Sequence, residues 1–146
     1  LVEMAGILTA KDKEQISAAI IAAEAKTAGE IRVHVEPRSG GDPFGRAREL
    51  FEKFGMTHTR DRSGVLIYVA WKDRKIAVLG DAGIHEKAGH GYWDGVVAKI
   101  AEAFKESRYG DGLSAAVEEV GARLAEHFPP RPDDKDELAN EVTESE

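Results

Sequence analysis

The sequence contains no cysteine. This absence excludes disulfide bonds, thiolate nucleophiles, thiolate-ligated zinc and iron–sulfur clusters. Long apolar runs are missing as well, because no stretch approaches the roughly 18 uninterrupted apolar residues that a membrane-spanning helix needs. The N-terminal residues also lack the basic segment, apolar run and cleavage site of a secretory signal. We therefore expect a cytoplasmic protein that has no contact with a membrane.

Basic residues are the scarcer charged class, with 20 Lys and Arg against 27 Asp and Glu, giving a formal charge of −7. This balance disfavours nucleic-acid binding, which relies on clustered Lys and Arg to neutralise phosphates. The acidity is concentrated at the C-terminus, since residues 129–146 hold seven acids and only two basic residues. We predict one domain over residues 1–128 and an acidic, flexible tail over residues 129–146.

Hydrophobic patterning predicts three strands. Residues 30–36 alternate between apolar and polar side chains, which is typical of a half-buried strand, whereas residues 64–71 are apolar throughout, as in a central strand covered on both faces. A short turn at residues 72–74 joins the second strand to a third over residues 75–80, and so short a connection permits only an antiparallel return. The first two strands are separated by a helix, which predicts a parallel crossover. The fold class is therefore α/β with a mixed sheet.

Four helices are predicted around this sheet. The first is capped by Thr9 and ends at Gly29, and the second is capped by Asp42 and ends at Gly55. A third begins at about residue 92. The fourth is capped by Asp111 and stops at residues 129–130, where two prolines follow one another.

The predicted topology gathers carboxylates at one edge of the sheet. Glu30 begins the first strand, Asp61 shortly precedes the second, and Asp81 follows the third. Carboxylates brought together raise one another's pKa unless a cation lies among them, so the cluster predicts a hard metal bound through oxygen, with calcium as the natural candidate. Asp94 or Glu86 could supply further oxygen ligands.

Two other interpretations of this region stay open. Arg60 and Arg62 could neutralise the acids in ordinary surface ion pairs, without any metal. The nearby His58, His85 and His90 could include a general acid or base, but none has zinc-ligand spacing, and surface or capping roles are the commoner ones for such histidines.

Several segments in order resemble the TPM domain family. The resemblance covers residues 8–128 and is most specific in the hairpin region 60–84. The segments are Gly29-Glu30-Ile31-Arg32-Val33, Arg62-Ser63-Gly64-Val65-Leu66-Ile67-Tyr68-Val69-Ala70, Asp73-Arg74-Lys75-Ile76-Ala77-Val78-Leu79-Gly80-Asp81 and Gly91-Tyr92-Trp93-Asp94.

This resemblance implies a three-layer α/β/α sandwich with a central mixed sheet, calcium bound in an acidic site and, in some members, hydrolysis of phosphomonoesters. The acidic turn at Asp81 carries over from the family, as do Asp61 and Asp94 less directly. Glu30 is assigned to the metal by topology alone.

The function expected from the sequence is therefore that of a calcium-binding, TPM-like domain that hydrolyses a phosphomonoester substrate. Asp81, Asp61 and Arg62 are the predicted catalytic residues, with Arg62 or Arg60 holding phosphate oxygens. The predicted metal ligands are Asp81, Asp61, Glu30 and Asp94. The alternative is a non-enzymatic module that calcium stabilises and that binds an unidentified protein partner.

Overall fold

Helices and strands alternate along the chain in a computed structural model that describes residues 6–89, 91–131 and 142–145. The described residues form five α-helices, four strands and a 3₁₀ turn at Met56–His58. In chain order the helices and strands are α1 (Ala10–Glu24), β1 (Glu30–Glu36), α2 (Pro43–Lys53), β2 (Gly64–Ala70), β3 (Lys75–Gly80), α3 (Ala82–Ala88), α4 (Tyr92–Lys105), α5 (Tyr109–His127) and β4 (Thr143–Glu144).

The sheet is mixed and has the strand order β3-β2-β1-β4. β1 runs parallel to β2, with Glu30 beside Gly64 and Glu36 beside Ala70. β3 runs antiparallel to β2, so that Gly80 lies beside Val65. The parallel crossover and the antiparallel hairpin predicted from the sequence are both confirmed.

Two apolar cores separate the layers. One lies between the sheet and helices α1, α4 and α5, and the alternating residues Ile31, Val33 and Val35 of β1 point into it. The second lies on the opposite face, where α2 covers Leu66 and Tyr68 of β2. Both faces of β2 are buried over its whole length, as its unbroken apolar sequence predicts. The fold is a three-layer α/β/α sandwich.

Some boundaries differ from the predictions. α1 ends at Glu24 and not at Gly29, because Thr27 and Ala28 turn to contact the end of α5: the Thr27 hydroxyl and the Ala28 amide both donate to the carbonyl oxygen of Phe128. Asp111 is not the cap of the last helix, which begins at Tyr109; its carboxylate instead accepts a hydrogen bond of 3.0 Å from Gln15 of α1.

The C-terminal region also contains an element that the sequence did not predict. β4 pairs in parallel with β1, placing Thr143 beside His34 and Glu144 beside Val35. Residues 132–141 and 146 of the predicted tail lie outside the described residues. Within the described ranges, no helix has the length and apolar character needed to cross a bilayer, and the cellular location stays a prediction.

Candidate functional site

The predicted site lies where β1 and β2 begin and β3 ends. Glu30 and Gly64 are neighbours in the parallel register, and the backbone amide of Asp81 donates a hydrogen bond of 2.8 Å to the carbonyl oxygen of Gly64. The sheet therefore brings the backbones of these three segments together, as the topology predicts. The side chains of these segments, however, contact different partners.

Asp81 is bound on both carboxylate oxygens by Arg62. The Arg62 Nε atom lies 2.7 Å from Oδ2 and its Nη2 atom lies 2.7 Å from Oδ1. The same carboxylate caps α3 by accepting from the Ala82 amide at 2.8 Å. The Asp81 side chain is 6% exposed, whereas that of Arg62 is 51% exposed. A buried carboxylate thus fixes the orientation of a guanidinium at the surface, and it holds the pKa of Arg62 above its ordinary value.

Asp61 has a different partner, because Arg131 Nη2 donates a hydrogen bond to its Oδ2 atom. The Asp61 side chain is 24% exposed. Its backbone lies against the first turn of α3: the Gly83 amide donates to the Arg62 carbonyl oxygen at 2.8 Å, and a Cβ atom on Gly83 would lie 2.1 Å from the Asp61 carbonyl oxygen. Only glycine permits this approach, which positions Asp61, Arg62 and Asp81 relative to one another.

The remaining predicted ligands lie in other surroundings. Glu30 is buried on β1 with 5% of its surface exposed, and Asp94 is exposed in the first turn of α4. Nowhere among residues 6–89, 91–131 and 142–145 do three or more His, Asp or Glu side chains form a group able to hold a metal ion. In this arrangement arginines occupy the carboxylates of Asp81 and Asp61, so the donor set does not fit a calcium site.

Of the interpretations left open by the sequence, the ion pair therefore applies to Asp81, whose partner is Arg62. The partner of Asp61 is Arg131, which the sequence analysis did not consider, because Arg131 is 70 residues away along the chain.

One histidine lies next to this site. His85, on α3, accepts a hydrogen bond of 2.9 Å at Nδ1 from Trp93 Nε1 of α4, so the neutral ring carries its proton on Nε2. His58 is exposed in the 3₁₀ turn, and His90 lies outside the described residues. The role of these histidines as acid or base stays a prediction.

A second polar cluster, which the sequence analysis missed, lies on the face of the sheet that α2 covers. Glu36 accepts hydrogen bonds from Arg46 Nε at 2.8 Å, from Arg46 Nη2 at 3.0 Å and from the Tyr68 hydroxyl. His34 Nε2 lies 3.5 Å from Glu36, and His34 Nδ1 lies 2.8 Å from the Thr143 hydroxyl. We call these five residues the Glu36 cluster. The prediction that residues 30–36 form a half-buried strand is wrong, because the polar face of β1 is buried as well and only Arg32 is partly exposed.

Burial and charge shift the pKa values in the Glu36 cluster. Burial lowers the pKa of His34 below its ordinary value, and the charge and hydrogen bond of Glu36 offset this only in part. Burial favours the protonated form of Glu36, but hydrogen bonds from Arg46 and Tyr68 outweigh it and hold the pKa of Glu36 below its ordinary value. At neutral pH the cluster therefore holds an ionised Glu36, a charged Arg46 and a neutral His34.

Known structures share this architecture. The NMR structure of BA42 protein from the psychrophilic bacterium Bizionia argentinensis is 38% identical, with a TM-score of 0.89, and the match covers 99% of this chain and 100% of that one. The N-terminal domain of a P. gingivalis protein matches at 22% identity and TM-score 0.70 over 87% and 84% of the chains. The N-terminal domain of cg2496 protein from Corynebacterium glutamicum matches at 18% identity and TM-score 0.63 over 80% and 74%. These last two likenesses concern the fold alone.

The chain matches no functionally curated protein. The family model for the TPM domain, which bears the name TPM phosphatase, matches residues 1–123. Both the sequence match and the shared architecture lead to one assignment: the chain belongs to the TPM domain family.

Proposed function

We propose that this domain hydrolyses phosphomonoesters at the surface around Arg62 and Asp81. The observation that carries the proposal is the half-exposed Arg62 guanidinium, which the buried Asp81 carboxylate holds by two hydrogen bonds of 2.7 Å. Arginine has five N–H donors in one plane, and Asp81 engages only the donors along the edge formed by Nε and Nη2. The outer donors are left to bind the oxygens of a phosphate group.

In this mechanism Arg62 binds the substrate and stabilises negative charge on the transferring phosphoryl group. Asp81 is a positioning residue, because both of its oxygens already accept hydrogen bonds and it cannot attack phosphorus while Arg62 is bound. Asp61, which has more solvent access, would orient the attacking water. The water oxygen forms a bond to phosphorus and the ester P–O bond breaks. One proton of the water passes to the leaving oxygen, so that the products are the alcohol and inorganic phosphate.

Calcium binding stays a prediction, and no step of the proposed reaction requires it. Arg62 and Arg131 supply the positive charge that a cation would otherwise supply beside Asp81 and Asp61. The test of the function should therefore be run both with calcium and with a chelator.

The experiment is hydrolysis of 4-nitrophenyl phosphate by the purified chain, compared with an Arg62→Lys variant. Lysine keeps the charge but loses the planar, two-point contact, so we expect kcat/KM to fall at least about tenfold. Asp81→Asn should reduce it as well, because Arg62 loses its charged partner. Arg38→Lys is the matched control, since Arg38 is also an exposed arginine paired with an aspartate, Asp73, at 3.2 Å. The control should retain full activity.

Two results would reject the proposal. One is no turnover by the wild-type chain with or without calcium. The other is turnover that Arg62→Lys and Asp81→Asn leave unchanged while both variants remain folded, since the activity would then lie elsewhere or come from a contaminant.

A protein-interaction role is the second candidate, favoured by the fact that Asp61 and Asp81 are both already paired with arginines. An acid engaged in this way is poorly prepared to act as a nucleophile or as a base. If no phosphatase activity is found, the full chain should be compared as bait with a chain whose acids at positions 133, 134, 136 and 137 are replaced by Asn or Gln, which keeps Arg131 and β4. A defined partner that this neutralised chain fails to bind would assign the acidic segment to this role.

A further inference from the structure

A groove of about 550 Å³ lies at the end of the sheet opposite Arg62. β2 runs from Gly64, near Arg62, to Ala70, and Val69 and Trp71 line the groove at the far end of that strand. Its walls come from the β2–β3 turn and from the chain between the end of α4 and the start of α5. Its volume falls within the range of small-molecule binding sites.

The charged residues that line the groove are all cationic. Arg74 approaches it from the β2–β3 turn, Lys75 from the first position of β3 and Lys105 from the last turn of α4. The lining residues that the structure describes include no Asp or Glu, although the chain as a whole carries a formal charge of −7. A surface of one sign on a protein of the opposite sign attracts a ligand that the rest of the molecule repels.

The two nearby acids, Asp73 and Glu102, do little to neutralise the cations of the groove. Asp73, the acid of the β2–β3 turn, is turned toward another segment, where it accepts a hydrogen bond of 2.9 Å from the Ser39 amide and one of 3.2 Å from Arg38. Glu102 lies 3.7 Å from Lys105, but both side chains are more than 70% exposed, so water largely screens the pair.

Aromatic side chains form much of the remaining wall. Trp71, Phe104 and Tyr109 line the groove and are half-buried. Phe104 and Tyr109 contact each other edge to face, with ring centroids 5.0 Å apart. The Lys72 ammonium lies 5.3 Å from the Trp71 ring centroid and adds a further cation to this end of the molecule. Flat apolar walls beside cations suit a ligand that has a ring and an anionic group.

We propose that this groove binds a small aromatic carboxylate, with its ring against Trp71, Phe104 and Tyr109 and its carboxylate beside Arg74, Lys75 and Lys105. The site is independent of the proposed phosphatase site, because the two lie at opposite ends of β2. It can therefore be tested whether or not the chain hydrolyses phosphate esters.

The experiment is an NMR titration of the ¹⁵N-labelled chain with 2-naphthoate. The chain has two tryptophans, so their indole N–H signals serve as reporter and internal control: Trp71 lines the groove, and Trp93 lies at the other end beside His85. We expect a saturable shift of the Trp71 signal and little change at Trp93. The uncharged 2-naphthamide should bind about tenfold or more weakly, because it lacks the charge that the cations recognise.

Three variants test whether 2-naphthoate binds inside the groove. Arg74→Gln combined with Lys75→Gln should weaken 2-naphthoate binding by about tenfold or more. Lys53→Gln, which removes an exposed lysine of α2 on the other side of the sheet, should have no effect. Ala101→Phe places a ring into the groove and keeps its cations, so it should abolish binding.

The proposal is overturned if 2-naphthoate produces no saturable shift, if 2-naphthamide binds equally well, or if the folded Ala101→Phe variant still binds. The last result would mean that the anion is attracted to surface charge and does not enter the groove. Unchanged amide signals away from the groove establish that each variant is folded.

Discussion

Glu36 holds an ionised carboxylate where only 4% of the side chain is exposed. It remains charged because Arg46 and Tyr68 together donate three hydrogen bonds to it. Removing one partner from such a buried pair leaves the other charge buried without compensation. The resulting loss in the free energy of unfolding is larger than the net stability that the intact pair contributes. The Glu36 cluster therefore fixes how α2 and β1 pack together.

Glu36→Gln tests this point. The amide keeps the size of the side chain but removes the charge that Arg46 and Tyr68 bind, so we expect the free energy of unfolding to fall by about 2–3 kcal/mol. Urea denaturation measures it. Glu102→Gln, which removes a largely exposed partner of Lys105, should change it by less than about 0.5 kcal/mol. Equal effects of the two substitutions would contradict the role of the cluster.

His34 makes the stability depend on pH. Its pKa in the folded chain lies below the ordinary 6.5, so between that lowered value and 6.5 the unfolded chain binds more protons than the folded one. Stability therefore rises with pH across this window and is lost as the pH falls below 6.5, with a slope of at most about 1.4 kcal/mol per pH unit from this one group. Glu36 contributes separately at lower pH, because its depressed pKa gives stability that is lost below its ordinary value of 4.5.

The measurement is urea denaturation at several pH values between about 5 and 7.5, for the wild type and His34→Gln. The variant should lose the part of the slope that comes from His34. An identical pH dependence in the two proteins would show that His34 titrates alike in the folded and unfolded chains.

At the scale of elements, α3 is the helix that aligns the candidate site. Asp81 caps it, and its second residue, Gly83, lies directly against the carbonyl groups of Asp61 and Arg62. A side chain there would meet backbone, which cannot move aside as a flexible side chain would. The placement of Arg62 beside Asp81 thus depends on a glycine that takes no part in the chemistry.

Gly83→Ala should accordingly lower the free energy of unfolding by about 1–3 kcal/mol. Gly95→Ala is a matched substitution in α4, where a Cβ atom would meet nothing within 4 Å, and it should raise the value by about 0.5–1 kcal/mol through better helix propensity. Thermal and urea denaturation of both variants check the contrast. A neutral Gly83→Ala would mean that α3 shifts without cost to the fold.

α3 and β4 are elements that the sequence pattern did not predict. α3 has seven residues and a single fully buried apolar residue, Ile84, so it has no periodic pattern to detect. β4 consists of two residues that pair with a strand more than 100 positions earlier. Short elements of this kind form because of what they pack against, and hydrophobic patterning does not report such contacts.

For the whole molecule, β4 connects the C-terminal segment to the sheet and to α1. The Ser145 amide donates to the Val35 carbonyl oxygen at 3.1 Å, and Lys13 of α1 lies 2.5 Å from Glu144. β4 also covers the edge of β1, which would otherwise present unpaired backbone groups.

Deletion of residues 142–146 should therefore leave the main core folded and lower the free energy of unfolding by about 1–3 kcal/mol, because His34 and the β1 edge lose their partners. Hydrogen exchange should show weaker protection of the β1 amides, and light scattering should show association as concentration rises. Thr143→Val keeps the backbone pairing and removes one hydroxyl, so it should be milder. A deletion with no effect on exchange or stability would mean that β4 contributes nothing in solution.

The sequence by itself determined the order of the main helices and strands, the parallel and antiparallel pairing, and the convergence of Glu30, the Asp61–Arg62 segment and Asp81 at one edge of the sheet. These features follow from local hydrophobic periodicity and from the lengths of the connections, and both can be read directly from the sequence. The tertiary structure decided the partners of the charged side chains: Arg62 for Asp81, Arg131 for Asp61, and Arg46 for Glu36. A charge is stabilised by whichever opposite charge lies nearest in space, and the folded backbone sets that distance whatever the separation in sequence.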